Sequence, residues 1–254
     1  MIRPMFPISD ENERGHGPAF VTLAFIAINV LVFLFLQGAG ASTEGAEFTY
    51  GYSAVPFEIT RNVDLVEDES ITIDGQAVPI PQEPGPSPIW LTLFTSMFMH
   101  GGLLHLGGNM LFLWIFGDNV EHRVGHALYL VFYLVAGIIA SFAQILVNTG
   151  SVIPTLGASG AISGVLGAYL VMFPTNRVTV FLFRFLVPVP AIVAIGLWGV
   201  LQVVSGLAAP AETGGVAYMA HIGGLVAGIA AGLLFRAIFR EPRHPRGTPA
   251  ASFR

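Results

Sequence analysis

A serine and a histidine, each at the start of an apolar segment, are the residues of this sequence most able to do chemistry. Ser159 lies among glycines in TLGASGAISG (155–164), and His221 lies in AHIGG (220–224). A serine hydroxyl hydrogen-bonded to an imidazole is an activated nucleophile, because the imidazole takes up the hydroxyl proton during attack. A lone serine in a membrane segment is more often a packing residue or bonded to its own helix. The chemistry therefore depends on whether Ser159 and His221 meet.

The composition places these residues in a membrane protein. Of 254 residues, 54% are hydrophobic and 11% are charged, whereas charged residues make up about a quarter of a soluble domain. Cysteine is absent, which excludes disulfides, thiolate metal sites and a cysteine nucleophile. All eleven basic residues are arginine, which also excludes a serine–lysine dyad.

Six apolar segments are candidates for crossing a bilayer. They are residues 19–37, about 102–116 with a preceding apolar piece at 89–99, 127–147, 158–173, 190–204 and 217–235. The apolar run 178–188 contains Arg184 and proline, so we expect it to lie at the membrane interface. The pattern predicts an all-α membrane protein, a bundle of six transmembrane helices.

The arginines predict the orientation of this bundle. With the N terminus inside, ten of the eleven arginines fall on the cytoplasmic side, and only Arg61 lies outside. Both termini are then cytoplasmic. We expect residues 1–17 to form a short cytoplasmic N-terminal segment, 18–240 the membrane domain with a long acidic external loop at 38–88, and 241–254 a cytoplasmic tail.

This orientation brings four polar side chains to one depth. The second, fourth and sixth helices all run inward, so the polar residues near their starts share the outer third of the membrane: His105, Asn109, Ser159 and His221. His105 and Asn109 are four residues apart and lie on one helix face. The fourth segment is about 24 Å long as a helix, less than the roughly 30 Å hydrocarbon core. Ser159 is therefore expected below the outer surface, beside free backbone N–H groups at the helix start.

Glycines recur where the fourth and sixth segments would touch. Gly157, Gly160 and, in the sixth segment, the GxxxG pair Gly224 and Gly228 are typical of close helix packing. Such packing would bring the Ser159 hydroxyl within hydrogen-bond reach of His221. We expect these glycines to support the site.

Other chemistries are less well supported by the sequence. His122 and His126 have a metal-ligand spacing, but Arg123 replaces the glutamate of HExxH and the pair falls at the cytoplasmic end. A metal site built from His100, His105 and His221 is an alternative. No phosphate-binding glycine loop or basic aromatic surface indicates nucleotide or nucleic acid, so we expect no cofactor, no metal and no nucleic-acid partner.

These motifs together closely resemble the rhomboid family of intramembrane serine proteases. The resemblance rests on MHGGLLHLGGN (99–109), GASG (157–160) and AHIGGLVAG (220–228), and it covers roughly residues 85–240. It implies a six-helix bundle in which Ser159 is the nucleophile and His221 the general base. It also implies an oxyanion hole made by His105, Asn109 and the backbone N–H of Ser159.

Two features depart from the family pattern. In some members a tyrosine four residues after the serine stacks on the base, but here that position is Ser163. The loop 38–88 is longer and more acidic than the compact form.

The function expected from residues and resemblance is that of an intramembrane serine endopeptidase. Its partners would be the lipid bilayer and transmembrane-protein substrates, cleaved in or next to their membrane helices. We expect an integral, multi-pass protein of the cell (plasma) membrane, with the active site opening to the outer side. A catalytically silent rhomboid-like binding protein is the main alternative, and a transporter is a weaker one.

Overall fold

The computed structural model describes residues 6–11, 17–73, 75–182, 184–208 and 215–239. The predicted tail 241–254 lies outside the described residues, as does most of the predicted segment 1–17.

Helices dominate the described part of the chain. They are α1 (Phe20–Leu31), α2 (Thr43–Tyr52), α3 (Pro56–Arg61), α4 (Thr92–Thr95), α5 (Leu103–Val124), α6 (His126–Val147), α7 (Ser159–Met172), α8 (Ala191–Ala208) and α9 (Tyr218–Ile238). A π-helical turn, Val32–Leu36, extends α1, and 3₁₀ turns at Ile89–Leu91 and Ser96–Phe98 flank α4.

The six candidate membrane segments of the sequence all coincide with helices. Within the described ranges, α6, α8 and α9 are long and apolar enough to cross a membrane. A fourth span results if the bent pair Ile89–Phe98 and α5 is one crossing. The helix Phe20–Leu36 and α7 are apolar but shorter. The six-span count therefore stays a prediction.

Among the described residues, five strands accompany these helices, so the all-α prediction missed part of the fold. The strands β1 (Phe6–Asp10), β4 (Arg177–Leu182) and β5 (Phe185–Pro190) form an antiparallel sheet in the order β1-β4-β5, and β2 (Glu69–Ile73) pairs with β3 (Gln76–Ile80) in a hairpin. The run expected at the membrane interface is the β4–β5 hairpin. Its β-branched and aromatic residues favour strands, and its prolines fall in the edge strand β5, where a missing N–H costs no ladder bond.

The sheet also brings in the N-terminal segment. The β1 strand pairs with β4, and the Asp10 carboxylate accepts hydrogen bonds from Asn119 Nδ2 and the Tyr169 hydroxyl, each at 2.6 Å. The start of α1 is held in a similar way. The buried carboxylate of Glu121, on α5, accepts the backbone N–H groups of Val21 at 2.8 Å and Thr22 at 2.7 Å. These bonds satisfy donors that a helix start otherwise leaves unpaired.

At the centre of the molecule lies α7. Every residue from Gly160 to Tyr169 is buried, so neighbouring elements surround this helix. A Cβ atom added at Gly228 of α9 would overlap the backbone carbonyl of Gly164. The two helix backbones therefore touch, as small residues permit.

The chain leading into α7 is held by its own hydrogen bonds. Thr155 and Ala54 exchange backbone N–H···O bonds of 3.0 and 2.9 Å, and the Gly157 N–H donates to the Ser96 carbonyl at 2.9 Å. Non-helical backbone within a membrane needs such internal partners. The loop 38–88 thus takes part in positioning the start of α7.

Candidate active site

The structure brings Ser159 and His221 together. Ser159 is the first residue of α7, and His221 lies in the first turn of α9. The Ser159 Oγ atom is 2.8 Å from His221 Nε2. Both side chains are half-buried, so they are held by protein yet open on one side. This is the geometry in which an imidazole takes the proton of an attacking hydroxyl.

The predicted supporting glycines lie at this contact. A Cβ at Gly224 would overlap the backbone carbonyl of Gly160, and one at Gly160 would come within 2.7 Å of the Ala140 Cβ on α6. The Gly224 and Gly228 contacts set the separation of α7 and α9, and the Gly160 contact sets that of α7 and α6. The hydrogen bond between Ser159 and His221 depends on the separation of α7 and α9.

His105 also lies beside the serine. Gly157 adopts φ +129°, and a Cβ there would lie 2.9 Å from the His105 Cε1 and Nε2 atoms and 3.6 Å from Ser159 Oγ. Only glycine leaves room for the imidazole of His105 at this point. The His105 Nδ1 atom accepts the Gly101 N–H at 3.3 Å.

Asn109 has a partner that the sequence did not identify. It is buried on α5, and its Nδ2 is 2.9 Å from His100 Nε2. The His100 ring in turn meets the His105 ring edge-on, with centroids 5.0 Å apart. One N–H of the buried Asn109 amide therefore has an imidazole partner from the turn that precedes α5.

Helix α8 contributes two further contacts to His221. Gln202 Oε1 lies 2.7 Å from His221 Nδ1, and the Trp198 ring lies 5.9 Å from the His221 ring at an angle of 36°. Sequence reasoning missed both residues. The available signal was an amide four residues after a tryptophan, and so on one helix face, inside an otherwise apolar segment.

Ser163 is not in contact with the base through its hydroxyl. Its Oγ donates to the backbone carbonyl of Ser159 at 2.6 Å, one turn earlier. The position left open by the missing tyrosine is thus occupied by a small, buried side chain, and the aromatic neighbour of His221 comes from α8 instead.

The alternative metal sites find no support in this geometry. Within the described ranges, no three His, Asp or Glu side chains are grouped to hold a metal ion. His100 Nε2 already contacts Asn109, and the two ring nitrogens of His221 contact Ser159 and Gln202. At the other end of α5, the His122 ring bonds to the Gly17 carbonyl, and His126 to the Glu121 carboxylate.

A cavity adjoins the serine. It has about 390 Å³ of empty space, including open solvent, and small or uncharged polar side chains line much of it. The lining residues on neighbouring elements include Ala140, Ser141, Gln144 and Ala220. The cavity therefore leaves open space beside Ser159.

Within the described residues, apolar helices of membrane-spanning length are typical of a helical membrane protein, and the serine–histidine pair at the starts of α7 and α9 is a candidate hydrolytic site. The family sequence model of the rhomboid domain matches residues 88–238, more than half of the chain. The chain belongs to the rhomboid family, a family of intramembrane serine proteases.

Named relatives agree with this assignment. The chain is 32% identical over 162 residues to rhomboid protease GluP of Bacillus subtilis, covering 64% of this chain and 26% of that protein. It is 32% identical over 163 residues to the mitochondrial rhomboid protein 1 of Saccharomyces cerevisiae, covering 61% and 45%. The human mitochondrial presenilin-associated rhomboid-like protein is 37% identical over 90 residues, covering 35% and 24%.

The matches span about a quarter to under half of the length of these relatives. Two of the three are named as mitochondrial proteins, so the comparisons do not support the predicted plasma-membrane location. They do support a multi-pass membrane protein related to proteases.

Proposed function

We propose that this chain is an intramembrane serine endopeptidase that hydrolyses peptide bonds in or next to the transmembrane helices of other membrane proteins. The observation that carries the proposal is the 2.8 Å contact between Ser159 Oγ and His221 Nε2. Family membership supports it independently.

In the first step, Ser159 Oγ attacks the carbonyl carbon of the scissile bond while its proton passes to His221 Nε2. The tetrahedral intermediate collapses as His221 gives that proton to the leaving amine, which leaves an acyl-serine. A water molecule, deprotonated by the same imidazole, then attacks the acyl-serine and regenerates the hydroxyl. The dyad needs no cofactor for these steps.

His105, Asn109 and the Ser159 backbone N–H form the oxyanion hole in this proposal. What supports this assignment is the position of His105 beside Gly157, one helical turn from Asn109, and the helix start at Ser159. Hydrogen-bond donors that are already in place where negative charge develops often lower the barrier of such reactions more than any other group does.

The proposed arrangement in the bilayer has six spans, with both termini on the cytoplasmic side and the site opening outward. Residues 18–240 would form the membrane domain, between the short segment 1–17 and the tail 241–254. The arginine distribution supports this orientation. Substrates would reach Ser159 from the lipid, and the small lining of the neighbouring cavity favours small residues at the cut site.

The test is cleavage of a panel of single-span membrane proteins by the purified protein in liposomes. Ser159→Ala and His221→Ala should each lower kcat by roughly 1,000-fold or more, since a nucleophile and its base act as a unit. A fluorophosphonate should label the wild type at Ser159, and a metal chelator should leave cleavage unchanged.

Ser163→Ala is the matched control, because it removes a hydroxyl of the same helix that bonds only to backbone. It should keep cleavage. Wild-type turnover by Ser159→Ala would refute the protease assignment. Binding of substrates without cleavage by the wild type would instead favour the silent binding protein.

A further inference from the structure

The second ring nitrogen of His221 has a specific partner. The Gln202 Oε1 atom lies 2.7 Å from His221 Nδ1, and Gln202 is half-buried on α8. The next two residues of the chain, Val203 and Val204, are exposed on the surface of the molecule. An amide in such an apolar segment costs free energy unless it is hydrogen-bonded, so this contact accounts for its presence.

The contact determines which tautomer of the imidazole is present. An amide oxygen can only accept, so Nδ1 must carry the proton in this bond. The other nitrogen, Nε2, then has a free lone pair that accepts the Ser159 hydroxyl at 2.8 Å. In the opposite tautomer Nε2–H would donate to Ser159, and the imidazole could not act as a base.

The neutrality of Gln202 suits its surroundings. A carboxylate in this place would orient the ring equally well, but an ionised side chain within a bilayer is expensive. The amide dipole supplies an acceptor at Nδ1 without a full charge. It also faces the positive charge that forms on His221 when the imidazole takes the serine proton.

We propose that Gln202 is a positioning residue that holds His221 in the Nδ1–H tautomer, making the dyad a Ser159–His221–Gln202 triad. This inference rests on the proposed function. The proposal adds that α8 contributes to the catalytic geometry. Within the described part of this helix the buried residues are Ala191, Ile195 and Gly199.

The first measurement compares Gln202→Leu and Gln202→Glu in the liposome cleavage assay. Leucine has a similar size but cannot accept a hydrogen bond, so kcat should fall roughly 10- to 10,000-fold with little change in KM. The upper figure is the loss seen when the orienting partner of a serine protease histidine stabilises the wrong tautomer. Glutamate still accepts, and should restore most of the activity that leucine loses.

The second measurement is the nitrogen NMR spectrum of isotope-labelled histidine, with the His221→Ala variant used to identify the His221 signal among seven histidines. Wild type and Gln202→Glu should show a protonated Nδ1, and Gln202→Leu should lose this bias. The spectrum needs no turnover. It therefore tests the contact even if no substrate is cleaved.

Ser205→Ala is the control for general damage to α8, since it removes a half-buried hydroxyl from the same helix. It should leave kcat and the tautomer unchanged. Wild-type kcat in Gln202→Leu, beside inactive Ser159→Ala and His221→Ala, would overturn the triad while the dyad stood. An inactive Gln202→Glu with a folded bundle would also overturn it, because it would mean that the amide donates to Nδ1.

Discussion

At the scale of single residues, the proposed mechanism requires the side chain of Asn109 to make two hydrogen bonds. Its Nδ2 atom contacts His100 Nε2 at 2.9 Å in the resting site, and the proposed mechanism requires an N–H of the same amide to reach the oxyanion. The two requirements are compatible because the amide carries two N–H donors. One N–H can remain with His100 while the other donates to the oxyanion.

Asn109→Ala should therefore lower kcat by roughly 10- to 1,000-fold, the range for losing one oxyanion donor. KM should change little, because the lost interaction forms only in the transition state. Fluorophosphonate labelling of Ser159 should persist at a lower rate, since nucleophile and base remain. Steady-state kinetics beside a thermal unfolding curve provide the measurement.

The same substitution also removes a buried partner of His100, at a cost of about 1–3 kcal/mol in stability. Activity and stability must therefore be compared directly. If activity falls only in proportion to the folded fraction, Asn109 is a packing residue and the oxyanion donor lies elsewhere.

At the scale of elements, the contact between α7 and α9 determines whether the two reacting side chains meet. The backbones touch at two levels, Gly160 with Gly224 and Gly164 with Gly228. A side chain at either level would push the helices apart. Because Ser159 and His221 lie at the starts of these helices, the shift would open their hydrogen bond.

Gly228→Ala should destabilise the protein by about 1–3 kcal/mol, the usual cost of overpacking. Cleavage should fall as well, although Gly228 touches no substrate in the proposed mechanism. Gly196→Ala on α8 is the matched control, because a Cβ there meets nothing within 4 Å. Thermal unfolding and cleavage of both variants check this, and equal behaviour of the two would contradict it.

At the scale of the whole molecule, two of the described segments outside the apolar helices, β1 and the loop 38–88, are attached to the bundle. The β1 strand is joined through β4 and Asp10, and the loop 38–88 is joined through Ala54 and α3. In the loop, Glu58 is buried and accepts the Leu65 N–H at 2.9 Å. Burial raises the pKa of this carboxyl to about 7, against the opposing effect of that hydrogen bond.

This pKa predicts how stability changes with pH. Between about pH 4.5 and 7 the folded protein keeps a proton on Glu58 that the unfolded chain has lost. The contribution of Glu58 therefore weakens stability as the pH rises through this window, by up to about 1.4 kcal/mol per pH unit. Glu58→Gln should remove this dependence and be the more stable protein at pH 8.

Thermal unfolding of wild type and Glu58→Gln in detergent from pH 5 to pH 8 measures the difference. The gap between the two melting temperatures should widen with pH. A gap that stays constant would show that folding does not raise the pKa of Glu58.

The amino-acid sequence by itself determined the membrane class, the positions of the apolar helices and the residues of the proposed dyad. These follow from local properties: apolar length, helical spacing and glycines at facing positions. The order of the motifs was enough to indicate the family. The N-terminal strand was not predicted, because β1 pairs with β4, a strand about 170 residues further along the chain.

Only the tertiary structure decided the hydrogen-bond partners of the site. Gln202 reaches His221 because α8 packs against α9 at a particular rotation, and His100 reaches Asn109 because the chain bends before α5. A residue pattern states which face of a helix is apolar, but not the angle at which two helices cross. The crossing angle determines which of several polar side chains at similar depth come within hydrogen-bond distance of each other. The partner of each ring nitrogen is therefore decided only in the folded molecule.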